Sequence, residues 1–249
     1  MKEEIRKLRS FLKASDYTVF FTGAGVSTDS GLADFRSSGR GLYNKPNPYG
    51  VPTEKILSLD FYVEHPEEFF EFYRSKLLKL EARPNSVHYA IAELQRRGLV
   101  QGLITQNADE LHRRAGSQNV ISIHGSVYNN RCEKCGRLFT AEKVAHAEGV
   151  PTCGCGGIIR PGIVLFDQIP DMGEIMKAVK ELNRAELLVV AGSSLKVSSA
   201  WKLLKNFRGR MVILNLEPTP FDNRAELVIN SELSEIFDAL MFAGKGELC

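Results

Sequence analysis

The chain has little of what most quickly narrows a function. Its charge is nearly balanced, with 32 Lys and Arg against 30 Asp and Glu, a formal +2. That excludes the strongly basic surface of a general nucleic-acid grip. Short basic runs such as Arg96-Arg97 and Arg113-Arg114 read as solvated helix faces. No apolar run approaches the roughly eighteen residues that a membrane span needs. The opening MKEEIRKLRSF reads as an amphipathic charged helix rather than a signal peptide, so a cytoplasmic location without a membrane partner is expected. Cysteine is sparse as well: five residues in 249, four of them between Cys132 and Cys155. In a reducing compartment that grouping reads as a metal site rather than two disulfides, and Cys249 as an incidental thiol. Internal repeats and low-complexity tracts are missing, which sets aside solenoid and disordered classes.

What is present suits one large domain with an inserted smaller lobe. Ile5, Leu8, Phe11 and Leu12 recur at helical spacing over residues 2–14. A strand over Tyr17 to Thr22 runs into Gly23-Ala24-Gly25. Pro66 opens a helix expected to continue through residue 82, with Phe69, Phe72, Tyr73, Leu77 and Leu80 on one face. Asn85 caps the next helix and Gly98 ends it. Strands follow at Leu99 to Thr105 and Val120 to Ile123, then a helix capped at Asp171 and Glu174 and running to Leu182. Strands at Glu186 to Ala191 and Met211 to Leu214 and a closing helix from Ser231 complete the chain. Strands alternating with helices indicate an α/β fold with a parallel sheet. Residues 37–83 and 126–160 interrupt the alternation and should form the smaller lobe, leaving a cleft between.

Two distant stretches carry the chemistry. Leu103 and Ile104 lead into Gln106, Asn107, Asp109 and His112, and the stretch closes on His124-Gly125. An apolar run ending in amide, carboxylate and imidazole groups reads as a strand delivering them to a cleft at its carboxyl end. On the residues alone, Asn107 and Asp109 serve equally as caps for a helix over 110–115, and His124 as a core histidine. The second stretch is VFFTGAGVSTDSGLADFR, Val19 to Arg36. Its order of strand, glycine turn and helix is the one by which backbone N–H groups receive a phosphate. GAGVST lacks the third glycine of the dinucleotide fingerprint, and no acidic residue follows about twenty positions on. A hydride-transferring dehydrogenase therefore fits poorly. Residues 37–52 show no periodicity and read as a flexible loop of the kind that closes over a ligand. Cys132, Cys135, Cys153 and Cys155, in two close pairs, suit one tetrahedral Zn²⁺ that leaves no open coordination position and is therefore structural. Bare reduced thiols are the alternative.

GAGVS, GLADFR, TQNADELHRRAG, HGS, the paired cysteines, GSSLKVSSA and NLEPT occur in this order between about Phe20 and Asn230. Together they resemble the signature blocks of the sirtuins, the NAD-dependent protein deacylases. The resemblance implies a Rossmann-like NAD-binding domain from residues 1–36, 84–125 and 161–249. It also implies a small lobe in which 37–83 supply a cofactor-binding loop and helical module, and 126–160 the zinc module. NAD would meet Gly23, Ala24, Gly25 and Ser27 at the turn, with Asp34 beside them, Phe35 shielding the nicotinamide pocket and Arg36 at the phosphates. Gln106, Asn107 and Asp109 would position nicotinamide and ribose, with Asn107 and Asp109 counted as catalytic. Gly192, Ser193 and Ser194, and Asn215, Leu216 and Glu217, would take the remaining contacts, Asn215 and Glu217 on the adenosine ribose. His124 would be the general base.

An acylated-lysine protein or peptide would pair along Ile163 to Phe166, with Val164 and Phe166 as its binding residues. The activity implied moves the acyl group to ADP-ribose, frees lysine and releases nicotinamide, in a chain expected to be a monomer. Departures from the family pattern are specific. Ser37 replaces a glycine after GLADFR, and Arg40 sits in the loop without an assigned role. Cys153 and Cys155 are one residue closer than usual, and Asp167 stands where the family has glycine. The altered Phe166-Asp167 segment keeps mono-ADP-ribosyl transfer and NAD hydrolysis as alternatives in the same pocket. Tyr73 and Lys76 match a pair that, in some sirtuins, holds succinyl or malonyl groups, so an acidic-acyl deacylase is a further alternative.

Overall fold

The computed structural model describes residues 1–39 and 41–242. Arg40 and Cys249 lie outside the described residues. Six parallel strands form the main sheet: β1 (Thr18–Thr22), β2 (Gly102–Thr105) and β3 (Val120–Ser122), and, later in the chain, β7 (Leu187–Ala191), β8 (Arg210–Leu214) and β9 (Leu227–Ile229). Their order is β3-β2-β1-β7-β8-β9. Between the two groups, β4 (Asn130–Cys132), β5 (Leu138–Phe139) and β6 (Ile159–Arg160) make a separate antiparallel sheet in the order β5-β4-β6.

Every residue of β1, β2 and β7 is buried, as expected where helices cover both faces of a parallel sheet. Period-two alternation sorts their side chains. Phe20, Leu103, Val189 and Val212 pack toward helices Lys2–Ala14, Ser86–Arg96 and Leu233–Phe242. Val19, Phe21, Ile104, Leu188, Val190 and Ile213 pack toward helices Met172–Arg184 and Ser198–Leu204. A second core, rich in aromatic residues, joins Phe69, Phe70, Phe72 and Tyr73 to Val127, Val144 and Ile159 beside the small sheet.

The chain builds outward from β1 in one direction through β2 and β3, and from β7 in the other through β8 and β9. The loops leaving β1 and β7 therefore part company, and a crevice opens at the carboxyl ends of these neighbours. There the backbones nearly touch: Gly23 N–H donates to Ala191 O at 3.0 Å and Gly25 N–H to Gly192 O at 2.9 Å. Gly192 has φ +62, and a Cβ on it would lie 2.6 Å from Val26 N and 2.8 Å from Gly25 C. After the turn the chain forms a 3₁₀ helix, Ala24–Ser30, closed by Gly31 at φ 82.

Two expectations change and one strand is new. The helix from Pro66 ends at Lys76 rather than residue 82: Leu77 and Leu78 both donate to Tyr73 O, and the tightened turn buries Leu78 in the second core. Ile163 to Phe166 is not a continuous strand. It makes single bridges at its two ends, Ile163 to Gly125 and Phe166 to Ser58. β9 has no counterpart in the sequence reading, being too short for its alternation to register.

Gly192→Ala should lower stability by about 2 kcal/mol through the left-handed backbone and the blocked contact, or roughly 4–8 °C in a chain of this size. Thermal unfolding checks this; a midpoint within about 1 °C of wild type would show that the loops can separate without penalty.

Candidate active site

The crevice widens into a cavity of about 1230 Å³. From the first loop Gly23, Ala24, Gly25, Ser27, Asp34, Phe35 and Arg36 line it; the end of β2 brings Gln106, Asn107 and Asp109, and the turn after β3 brings His124. The end of β7 contributes Gly192, Ser193 and Ser194, and that of β8 Asn215, Leu216 and Glu217. Val164, Phe166, Asp167 and Lys76 form further wall. Tyr73 is the exception and a correction: it lies wholly within the second core, its ring stacked on Phe69 at 5.9 Å. Its hydroxyl is buried without a hydrogen-bond partner, and burial raises its pKa. Tyr73 and exposed Lys76 therefore do not converge on one pocket.

Strand ends fix the polar groups by short bonds. Gln106 Nε2 donates to Ser193 Oγ at 2.7 Å, tying β2 to β7 across β1. Asn107 Nδ2 donates to Gly23 O and to Ser27 Oγ, both at 3.1 Å. Ser27 Oγ donates to Asp109 Oδ2 at 2.7 Å, and Leu111 N–H to Asp109 Oδ1 at 2.9 Å. Burial raises the Asp109 pKa, with those two donors opposing it. His124 Nδ1 lies 3.1 Å from Gln106 O. A carbonyl only accepts, so Nδ1 carries the proton and Nε2 has the lone pair. Burial lowers the His124 pKa against the opposing pull of that carbonyl, so the ring is neutral at pH 7. A neutral imidazole with a fixed tautomer can accept a proton from a hydroxyl placed in the cavity.

Residues 23–199 match the model of the Sir2 family. The chain belongs to the Sir2 family. It is 46% identical over 238 residues to an NAD-dependent protein deacetylase of Cutibacterium acnes, covering 95% of this chain and 97% of that one. A solved Sir2 complex with a deacetylated p53 peptide and 3'-O-acetyl ADP ribose matches with a TM-score of 0.87 at 37% identity, covering 95% and 97% of the two chains. A Sir2 complex with a p53 peptide and NAD⁺ matches with a TM-score of 0.84 at 37% identity and the same coverage.

Several features of this Sir2 site escaped the sequence reading. Tyr43 stands under Arg36, whose guanidinium lies 4.8 Å from the ring centre, and it bridges Phe35 at 5.4 Å and Phe166 at 6.3 Å. Asp34 Oδ1 accepts from the Arg36 and Ser37 amides and so shapes the loop. Glu217 Oε1 accepts from Ser38 N–H at 2.8 Å and pins that loop to the end of β8. Asp167 adopts φ +64 in the cavity wall, a conformation aspartate tolerates better than most residues. Beneath the glycine turn lie two buried histidines, with ring centres 4.8 Å apart. His112 Nε2 is 3.0 Å from Thr22 Oγ1, and His88 Nε2 is 3.4 Å from Ser27 Oγ. Burial pushes His88 down to about 4 and His112 well below its usual value. His112 stands in the polar cluster already visible after β2; for His88 the signal is the Asn85-x-x-His88 spacing, which forms a capping box.

The cysteine module converges. Its four sulfurs lie within 4.8 Å of one another, with Cys132 to Cys155 at 3.5 Å and Cys135 to Cys153 at 3.7 Å. Tetrahedral zinc with Zn–S bonds of about 2.3 Å requires sulfurs about 3.8 Å apart, so the donor set fits Zn²⁺. The amides of Cys135 and Lys134 hold the Cys132 thiol down, to about 6, against its burial. The shortened second pair is accommodated by a tight turn, Cys153 N–H to Gly157 O and Gly156 N–H to Cys153 O, both 2.8 Å.

Metal analysis of the purified chain should give one zinc per polypeptide, and Cys135→Ser should lose it; full zinc retention in that variant would remove the four-thiolate assignment. A second measurement concerns pH. The unfolded chain takes up protons on His88, His112 and His124 near pH 6.5, whereas the folded chain refuses them until lower pH, about 4 for His88. Stability present above pH 6.5 is therefore lost as pH falls, down to about 4 for His88 and to their own lowered values for His112 and His124, by up to about 1.4 kcal/mol per pH unit for each histidine. Denaturant titrations of wild type and His88→Gln should differ by one histidine's share of that slope; equal slopes would refute the buried neutral state.

Proposed function

We propose that this chain removes an acyl group, acetyl foremost, from a lysine of a protein or peptide while consuming NAD. The observation that carries the reading is the meeting of the glycine turn, Asn107, Asp109 and a neutral His124 in one cavity walled by Val164 and Phe166. Its relatives include an NAD-dependent protein deacetylase and Sir2 complexes with p53 peptides. Bound there, NAD would supply the activated glycosidic carbon and take up the acyl group.

The chain's own groups have separable tasks. The amides around Gly23, Ala24 and Gly25 and the Arg36 guanidinium would meet the phosphates. Ser193, Asn215 and Glu217, in the same cavity wall, would take the ribose and backbone contacts of the adenosine half. Asn107 and Asp109, locked to Ser27, would orient the nicotinamide side, and Phe35 would exclude water from it. His124 Nε2 would take a ribose hydroxyl proton, while Nδ1 keeps its bond to Gln106 O. The backbone of residues 163–166 would pair with the extended peptide. A two-lobe division, with 37–83 and 126–160 set apart from the main sheet, would place the cleft at their junction. A zinc held by four thiolates would be structural, and closely set cysteines kept as thiols suit the cytoplasm. The withdrawal of Tyr73 into the core disfavours an acidic-acyl pocket.

His124→Ala should abolish turnover of an acetyl-lysine peptide while leaving NAD binding within a few fold. Because burial lowers the His124 pKa, kcat/KM should hold through pH 6.5 and fall only as pH drops through that lowered value. Product mass spectrometry decides among rivals: O-acyl-ADP-ribose supports deacylation, a modified protein indicates ADP-ribosyl transfer, and ADP-ribose alone indicates hydrolysis.

A further inference from the structure

Residues 163–166 are held partly from outside themselves. The Val164 and Phe166 amides donate to His124 O at 3.0 Å and to Leu57 O at 2.9 Å. Backbone groups alternate along an extended chain, so the Leu165 amide between them faces the opposite edge. A side chain receives it there: Leu165 N–H donates to Gln168 Oε1 at 3.1 Å, and Gln168 N–H returns a bond to Leu165 O at 3.2 Å. Within this turn Asp167 holds φ +64, a backbone that a residue with a β-carbon keeps only where its neighbours impose it. The same Gln168 Oε1 accepts Arg160 Nη2 at 2.7 Å. An amide NH2 accepts no hydrogen bond, so these two donors fix which way the carboxamide points.

Arg160 lies outside the cavity wall, at the end of β6. It pairs with Arg131 of β4, next to the Ile159–Cys132 pair. Its guanidinium stands 5.5 Å from the ring centre of Tyr62, in helix Leu59–Glu64, and Nε lies 3.9 Å from Glu133 Oε1. Nε is buried without a hydrogen bond, so among the described residues the directed bond of this side chain is the one to Gln168. Arg160 thus sits where the small sheet, the Leu59–Glu64 helix and the 163–168 segment meet.

We infer that Arg160 is a positioning residue for the acyl-lysine peptide. It acts through the Gln168 carboxamide, which holds Leu165 and Asp167 and so keeps the neighbouring backbone of Ile163 and Val164 straight for an added strand. The inference rests on the deacylase reading above and gives it a residue that touches neither peptide nor NAD. A guanidinium bond is stronger and more directional than one between neutral groups. Without it the carboxamide is free to turn, and the Leu165 amide loses its acceptor. The loss falls on main-chain pairing, which ground state and transition state share, so it belongs in KM and not in kcat.

The test uses the full chain with NAD and two substrates: an acetyl-lysine peptide with several residues on each side, and N-acetyl-lysine amide, which has no flanking backbone to pair. Nicotinamide release is measured across substrate concentration. Arg160→Met, which keeps an apolar stem on Tyr62, should raise the peptide KM about tenfold with kcat within about twofold. The amide substrate should show no matching loss. Gln168→Leu should raise the peptide KM alike, and Gln168→Glu, which keeps an acceptor oxygen, should restore it. Arg160→Met combined with Gln168→Leu should be no worse than either alone, because both remove one interaction. An unchanged peptide KM in Arg160→Met, additive losses in the double variant, or an equal loss on the amide substrate overturns the proposal. So does a lower KM in Gln168→Leu, expected if the carboxamide occupies the peptide's own place. Should Arg160→Met fail to fold, the Gln168 pair decides: equal KM values in Gln168→Leu and Gln168→Glu overturn the proposal. No nicotinamide from either substrate with the unaltered chain defeats the deacylase reading, whereas turnover with a KM indifferent to these variants defeats the Arg160 assignment alone.

Discussion

The contact between the loops that leave β1 and β7 governs the rest of the molecule. Gly25 N–H meets Gly192 O at 2.9 Å, and neither Gly23, Gly25 nor Gly192 has room for a β-carbon. That intimacy is possible only where neighbouring strands lead their connections in opposite directions, so the sheet order decides where a site can lie. Two polar groups of the cavity are placed directly by this seam. Asn107 bonds to Gly23 O, and Gln106 reaches Ser193.

Below the seam the protein holds polar groups in a low-dielectric interior by giving them partners. Ser27 Oγ serves Asp109, Asn107 and His88 at once, and the chain passes by ring contact to His112 and on to Thr22. His112 Nδ1 is buried without a hydrogen-bond partner. In such surroundings bonds strengthen, unpaired groups become expensive, and an added proton has little to stabilise it. The same burial that stiffens the support under the turn keeps all three histidines uncharged.

Much of this was legible in the chain of residues, for identifiable reasons. Long apolar runs such as those before Gly23 and Gly192 announce buried parallel strands, and the cysteine spacing announces a tetrahedral donor set. Short elements did not announce themselves: three residues in β9 cannot show a period, and the early end of the Pro66 helix depends on where Leu78 finds its cavity. At the site, residue types at strand ends were visible, but partners were not. Nothing local to Tyr43 predicts that it would lie between Arg36 and Phe166, or that Tyr73 would turn inward from Lys76. Those outcomes are set by contacts between segments far apart in the chain.

The bridges at the two ends of residues 163–166 tie the aromatic core to the turn that carries His124. Ile163 is held to Gly125, the residue after His124, and Phe166 to Ser58, beside the short helix Leu59–Glu64. Val164 N–H also donates to His124 O at 3.0 Å. This four-residue strut joins residues 57–59, on the aromatic core, to the histidine backbone beside the large sheet. The four residues thus act as a spacer of fixed length, so the distance from the imidazole's own backbone to residues 57–59 is set by main-chain bonds at both ends.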